Sequence, residues 1–263
     1  METRNRIWVG LGVAVAASTA FYLGTSAGLN GMDHGAMEMA GEGGEGGEGV
    51  TSAEAIASDA AYLGQLAFIR GHLNVGVDLY RQGEQEASAT HMKHPGDELY
   101  TDLLPALEAR KASGFADQLE ALAVAVNEQR SLADVEAAYA ALQEAITAAE
   151  NAATAANAEV LGDVILSLVR TAAAEYDIAV GVGGALENEH EYQDALGFVR
   201  IAAQMLERLD GMTENKTAVA AIRAQLDLIT PIWPGLKAPA QLETPPSVIY
   251  GAAGRIEFAI VNL

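Results

Sequence analysis

The chain has 263 residues, half of them apolar, so it can bury a sizeable core in one or two domains and is not a disordered protein. Its 36 acidic and 15 basic side chains leave a net charge of −21, which argues against nucleic acid and anionic lipid headgroups as partners, since both are bound chiefly through cationic contacts. The absence of cysteine excludes disulfides, thiol catalysis, iron–sulfur clusters, Cys-type zinc sites and a Cys-anchored lipoprotein.

Residues 1–30 read as a signal peptide or a membrane anchor. Arg4 and Arg6 precede an uncharged stretch from Ile7 to Met32, whose apolar part, Ile7 to Leu23, is just long enough for a bilayer core of about 30 Å. Ala14-Val15-Ala16 and Thr25-Ser26-Ala27 offer cleavage points, whereas Trp8 and Tyr22 near the two ends suit the headgroup level, so both outcomes stay open. In either case Arg4 and Arg6 stay in the cytoplasm, and everything after residue 30 is expected outside it, as a periplasmic protein more acidic than the whole chain.

Residues 31–50 read as a flexible tether, because the run Gly41-Glu42-Gly43-Gly44-Glu45-Gly46-Gly47-Glu48-Gly49 cannot build a core and repels itself. The tether opens with Met32-x-His34-x-x-Met37-x-Met39. Thioethers are soft donors that select Cu(I), and imidazole binds both copper oxidation states, so these four residues can wrap a copper ion. The segment resembles the MDHxxM motifs of extracytoplasmic copper-resistance and copper-delivery proteins. That resemblance covers eight residues and implies copper as the bound ion.

From Thr51 onward the pattern is helical, and we expect an all-α fold for 51–263, an antiparallel bundle of seven to eight helices. Thr51 and Glu54 fit a capping box that starts a first helix reaching about Ala89. Phe68, His72, Val75 and Leu79 form one stripe on it and Leu66, Leu73, Val77 and Tyr80 the next, which makes this helix central. Pro95-Gly96 should interrupt the chain, with Asp97 capping a second helix to about Lys111 that Pro105 kinks or shortens. Helices follow at 114–129, at 132–156 behind Ser131 and Asp134, and at about 158–186, ending near Gly181, Gly183 and Gly184. Gly211 stops another over 189–209, and Thr213 can cap one over 214–230. The prolines at 231, 234, 239, 245 and 246 mark an ordered connector around Trp233, and a final apolar helix over 247–261 should be docked. Asn74-Val75-Gly76-Val77 and Ala179-Val180-Gly181-Val182 echo each other, either as two related halves or as two glycine-relieved helix crossings.

Four of the five histidines lie in the helical part. His72 sits on an apolar stripe and needs a carbonyl or carboxylate partner there. His91, Met92 and His94, with Glu98 beyond, lie on a turn before and after Pro95 that can converge on a metal or stabilise a helix C-terminus. Glu187-x-x-His190 has the spacing that places two ligands of a di-iron bundle on one helical face, although a ferritin-like site needs two such motifs and the chain has one. Glu175 lies on an apolar stripe and requires a partner, with Arg70 and Arg200 as candidates.

An exported, acidic, all-helical chain with scattered His and Glu has a loose likeness to imelysin-type proteins of bacterial iron uptake. Their Gly-x-His-x-x-Glu motif is absent: Gly71 adjoins His72, and Val75 stands three residues after it, so no site residue is carried over. The marks of nucleotide binding, hydrolases, zincins and c-type haem are also absent, and no enzyme class is supported. The expected function is metal binding outside the cytoplasm without catalysis, copper first and iron as the alternative, for capture, delivery or tolerance. The alternatives are a structural subunit docking on a membrane protein complex and an imelysin-like iron-uptake component.

Overall fold

The computed structural model describes residues 49–263, without the side chains of His94, Asp97 and Glu98. The expected signal or anchor, and Met32, His34, Met37 and Met39, therefore lie outside the described residues. Among those described there are ten α-helices and no strand, only two isolated bridges. None of the helices is long and apolar enough to cross a membrane.

The first predicted helix is three. The Thr51–Glu54 capping box is present and opens α1 (Ser52–Ala57), but Ser58 adopts extended backbone and caps α2 (Asp59–Arg81) through its hydroxyl. Gly83, at φ +84, then turns the chain into α3 (Gln85–His94). A serine that can satisfy an orphan amide and a glycine in the left-handed region break the helix where apolar periodicity alone would carry it on.

Pro95 does the opposite of what the sequence suggests. It takes helical dihedrals, and Pro95–Leu99 forms one π-helical turn that feeds directly into α4 (Tyr100–Arg110), so Asp97 does not begin a new helix. A π-turn widens the backbone and accommodates the ring without leaving the helical path. Pro105 lies inside α4, which ends at Lys111 in the left-handed conformation.

Then come α5 (Ala116–Asn127) and α6 (Leu132–Glu150), the latter capped by Ser131 as its sequence predicts. Next are α7 (Ala158–Ala179) and α8 (Glu189–Asp210). α7 ends seven residues short of the expected 186, since Gly183 and Gly184 take positive φ in the loop. Gly181 is therefore a loop residue beside Glu187, not the helix crossing its likeness to Gly76 suggested. α9 (Lys216–Ile229) is capped by Asn215 rather than Thr213, and α10 (Ser247–Ile260) closes the chain.

α2 lies at the centre, packed against α3, α6, α7 and α8, and both of its predicted stripes are buried. α7 to α10 form a second layer in which α7 pairs with α8 and α10, and α9 with α8 and α10. α2 can approach α8 closely because glycines meet at the crossing: a Cβ on Gly197 would lie 2.6 Å from the Gly71 carbonyl oxygen, and one on Gly71 would lie 2.5 Å from the Phe198 ring. Across the same contact Phe198 meets Phe68 and His72 edge to face, with ring centroids 5.2 and 5.1 Å apart.

The proline-rich connector is ordered, as its tryptophan requires. Trp233 is buried and donates from Nε1 to the Tyr192 carbonyl at 2.9 Å, while the Tyr192 hydroxyl donates to the Gly235 carbonyl at 3.2 Å. Ala238 N donates to Glu189 and Leu242 N to the Gly184 carbonyl, so the connector is fastened along the start of α8 and the loop before it.

Candidate metal centre

The glycine crossing brings His72 of α2 against Asp194 of α8. His72 Nδ1 lies 2.6 Å from Asp194 Oδ1, and His91 Nδ1, from α3, lies 3.0 Å from the same oxygen. His190, one helical turn before Asp194 on the same face of α8, places Nε2 3.1 Å from the other oxygen, Oδ2. Its ring stacks on that of His91, with centroids 4.1 Å apart. Three imidazoles thus surround one carboxylate. His72, His91 and Asp194 are at most 1% exposed, whereas the His190 side chain is 18% exposed, so His190 is the half-buried member of the cluster.

Burial by itself would raise the Asp194 carboxyl, but the charges of His72 and His91 and the hydrogen bonds from them outweigh it and hold the group well below the usual carboxylate range. Asp194 is therefore an anion inside the bundle. One ligand atom from each of His72, His91 and Asp194 can be chosen so that all lie within 4.8 Å of one another, the spacing of donors around a single metal ion.

Gln193 supports this arrangement. Its Oε1 lies 2.8 Å from His91 Nε2, and its Nε2 donates to the Leu236 carbonyl of the connector at 3.2 Å. Tyr192 is not an anionic donor here, because burial pushes its hydroxyl up to about 12.

Of the sequence-predicted residues, His72, His91 and His190 come together. Met92 is buried, and its methyl is packed close against Gly76 in the α2–α3 contact, which gives it a core role rather than a ligand's. Glu187 precedes the Asn188 cap of α8, so the helical spacing of Glu-x-x-His does not exist; its carboxylate lies against Gly181. The side chains of His94 and Glu98 lie outside the described residues. Glu175 is buried on α7; of the two arginines proposed for it, Arg70 Nε pairs with Glu150 at 2.8 Å and Arg200 with Asp78 at 2.8 Å.

Asp194 and Gln193 were missed by sequence reasoning. One signal could have found the first. His190 and Asp194 stand at i and i+4, and Asp194 directly precedes the apolar run Ala195, Leu196, Phe198 and Val199, where a carboxylate needs a partner.

Residues 152–261 match the family model of the iron permease-associated 4-helix bundle domain. The match spans α7 to α10, the four helices of the second layer, and includes His190 and Asp194 but not His72 or His91. No curated protein and no solved structure matches the chain.

Proposed function

We propose that this protein is an extracytoplasmic iron-binding component of metal uptake, working with a membrane permease, and that it holds the metal at His72, His91 and Asp194, with His190 stacked beside them. The observation that carries the reading is the convergence of three imidazoles on one buried carboxylate. The likeness of α7 to α10 to an iron permease-associated domain favours iron over copper as the cargo. The acidic surface supports capture, since a net charge of −21 raises the local concentration of cations. The N-terminal segment would supply export or tethering.

The test is anaerobic iron titration of the full chain, of Asp194→Asn, of His91→Gln, and of a variant with Met32, His34, Met37 and Met39 all changed to serine. Retention of helical circular dichroism is checked in each. One iron per chain is expected in the wild type and the arm variant, with binding reduced at least tenfold in the two cluster variants. Iron bound equally by all four proteins, or by none, overturns the reading. A parallel Cu(I) titration separates the arm, because copper lost only with the four serines would mark a second, independent site there.

A further inference from the structure

We propose that the cluster takes iron as Fe(II), bound through Nδ1 of His72, Nδ1 of His91 and a carboxylate oxygen of Asp194, and that Gln193 is the positioning residue that makes His91 a ligand. The proposal rests on the reading of the cluster as the iron site and adds the oxidation state, the ligand atoms and the residue that sets them.

The ligand atoms follow from hydrogen-bond bookkeeping. A carbonyl can only accept, so the Leu236 oxygen fixes the Gln193 amide with its NH2 toward the connector. Gln193 Oε1 then faces His91 Nε2 at 2.8 Å, and because that oxygen has only lone pairs, His91 Nε2 carries a hydrogen. The remaining ring nitrogen, Nδ1, points at Asp194. Without a cation it donates to the carboxylate; with one, its lone pair binds the ion, and the displaced proton leaves to water. Hydrogen-bond partners that fix a histidine's tautomer are the usual supports of metal-ligating imidazoles.

The spacing fits. Neighbouring ligands on an octahedral ion with bonds of about 2.1 Å are about 3.0 Å apart, and Asp194 Oδ1 lies 2.6 and 3.0 Å from the two Nδ1 atoms. A cation can therefore replace the hydrogens between these atoms with small adjustments of the side chains.

The oxidation state follows from donor type and charge. Imidazole suits divalent iron, and two histidines with one carboxylate form a donor set used for non-haem Fe(II). A single carboxylate leaves one net positive charge around Fe(II) but two around Fe(III), and uncompensated charge is costly in a site this deeply buried. Tyr192, the tyrosine next to Gln193, is committed to the Gly235 carbonyl and offers no phenolate to offset the extra charge.

The experiment compares the full chain with Gln193→Leu and Gln193→Glu. Each is titrated anaerobically with Fe(II) and, separately, with ferric citrate; Zn(II) serves as a diamagnetic probe in 15N-histidine NMR. Both substitutions lose the tie to Leu236, but glutamate keeps an acceptor for His91 Nε2–H. Fe(II) affinity is expected to fall 10- to 100-fold in Gln193→Leu and to stay within threefold of wild type in Gln193→Glu. Zn(II) should shift the Nδ1 resonances of His72 and His91, and ferric citrate should load at least 100-fold more weakly than Fe(II). Equal losses in the two variants, unchanged affinity in Gln193→Leu, zinc on His91 Nε2, or equal loading by ferric citrate overturns this proposal while leaving iron binding intact. A wild-type chain that binds neither form of iron overturns the functional reading as well.

Discussion

A carboxylate as deeply buried as Asp194 is tolerated because three imidazoles meet it, and the same balance operates on a smaller scale at Asp59. Only a tenth of the Asp59 side chain is exposed. It accepts from the Thr154 hydroxyl at 2.8 Å and from Ala155 N at 2.7 Å and pairs with Arg110, tying the start of α2 to the end of α4 and the loop after α6. Burial alone would raise its carboxyl, but these hydrogen bonds and the arginine charge together lower it. A depressed folded-state value contributes stability that is present above the unfolded value of about 3.9 and lost as pH falls through the folded one. Asp59→Asn should therefore cost about 1–3 kcal/mol at pH 7, with the gap to wild type closing below about pH 4 in urea melts. A gap that persists unchanged at pH 3 would show that the carboxylate's charge is not what matters. At this scale the sequence was only half legible: three of the four cluster residues stand out as scarce histidines, but Asp194 is one of 36 acidic residues and is distinguished only by what α2 and α3 bring against it.

Helix pairings decide where those residues meet. Apolar periodicity correctly marks α2 as central and Ser131 as a cap, since both depend on local sequence. It runs α1, α2 and α3 together, because the breaks at Ser58 and Gly83 are single-residue events inside a continuing apolar pattern. It also stops at Pro95, where a π-turn carries the helical path through. The Gly71–Gly197 contact was not visible either, since a glycine inside a helix signals a close approach without naming its partner. Gly197→Ala tests what that contact does. The added Cβ would meet a backbone oxygen 2.6 Å away, which cannot swing aside as a side chain can, so α2 and α8 must separate. A loss of about 1–3 kcal/mol is expected, together with weaker iron binding, because His72 and Asp194 lie on the two helices being forced apart. If stability falls in a thermal melt while iron affinity stays at the wild-type value, the crossing supports the fold but does not set the site.

The cluster also bridges the molecule's two layers. His190 and Asp194 lie within the span that resembles the permease-associated domain, whereas His72 and His91 lie on α2 and α3 before it. A cation held by His72, His91 and Asp194 links the layers, and because α2 shares its core with α7 and α8, residues 49–263 should unfold as one unit. A ligand bound only by the folded state stabilises it by RT ln(1 + [L]/Kd), about 2.7 kcal/mol at 100 times Kd. For a domain of this size that corresponds to a rise in Tm of roughly 5–10 °C. Anaerobic calorimetry of the full chain with Fe(II) should therefore move a single transition upward as a whole, and Asp194→Asn should abolish the movement. Two transitions, with only the one belonging to α7–α10 responding to iron, would instead place the metal within the four-helix layer and remove His72 and His91 from the site.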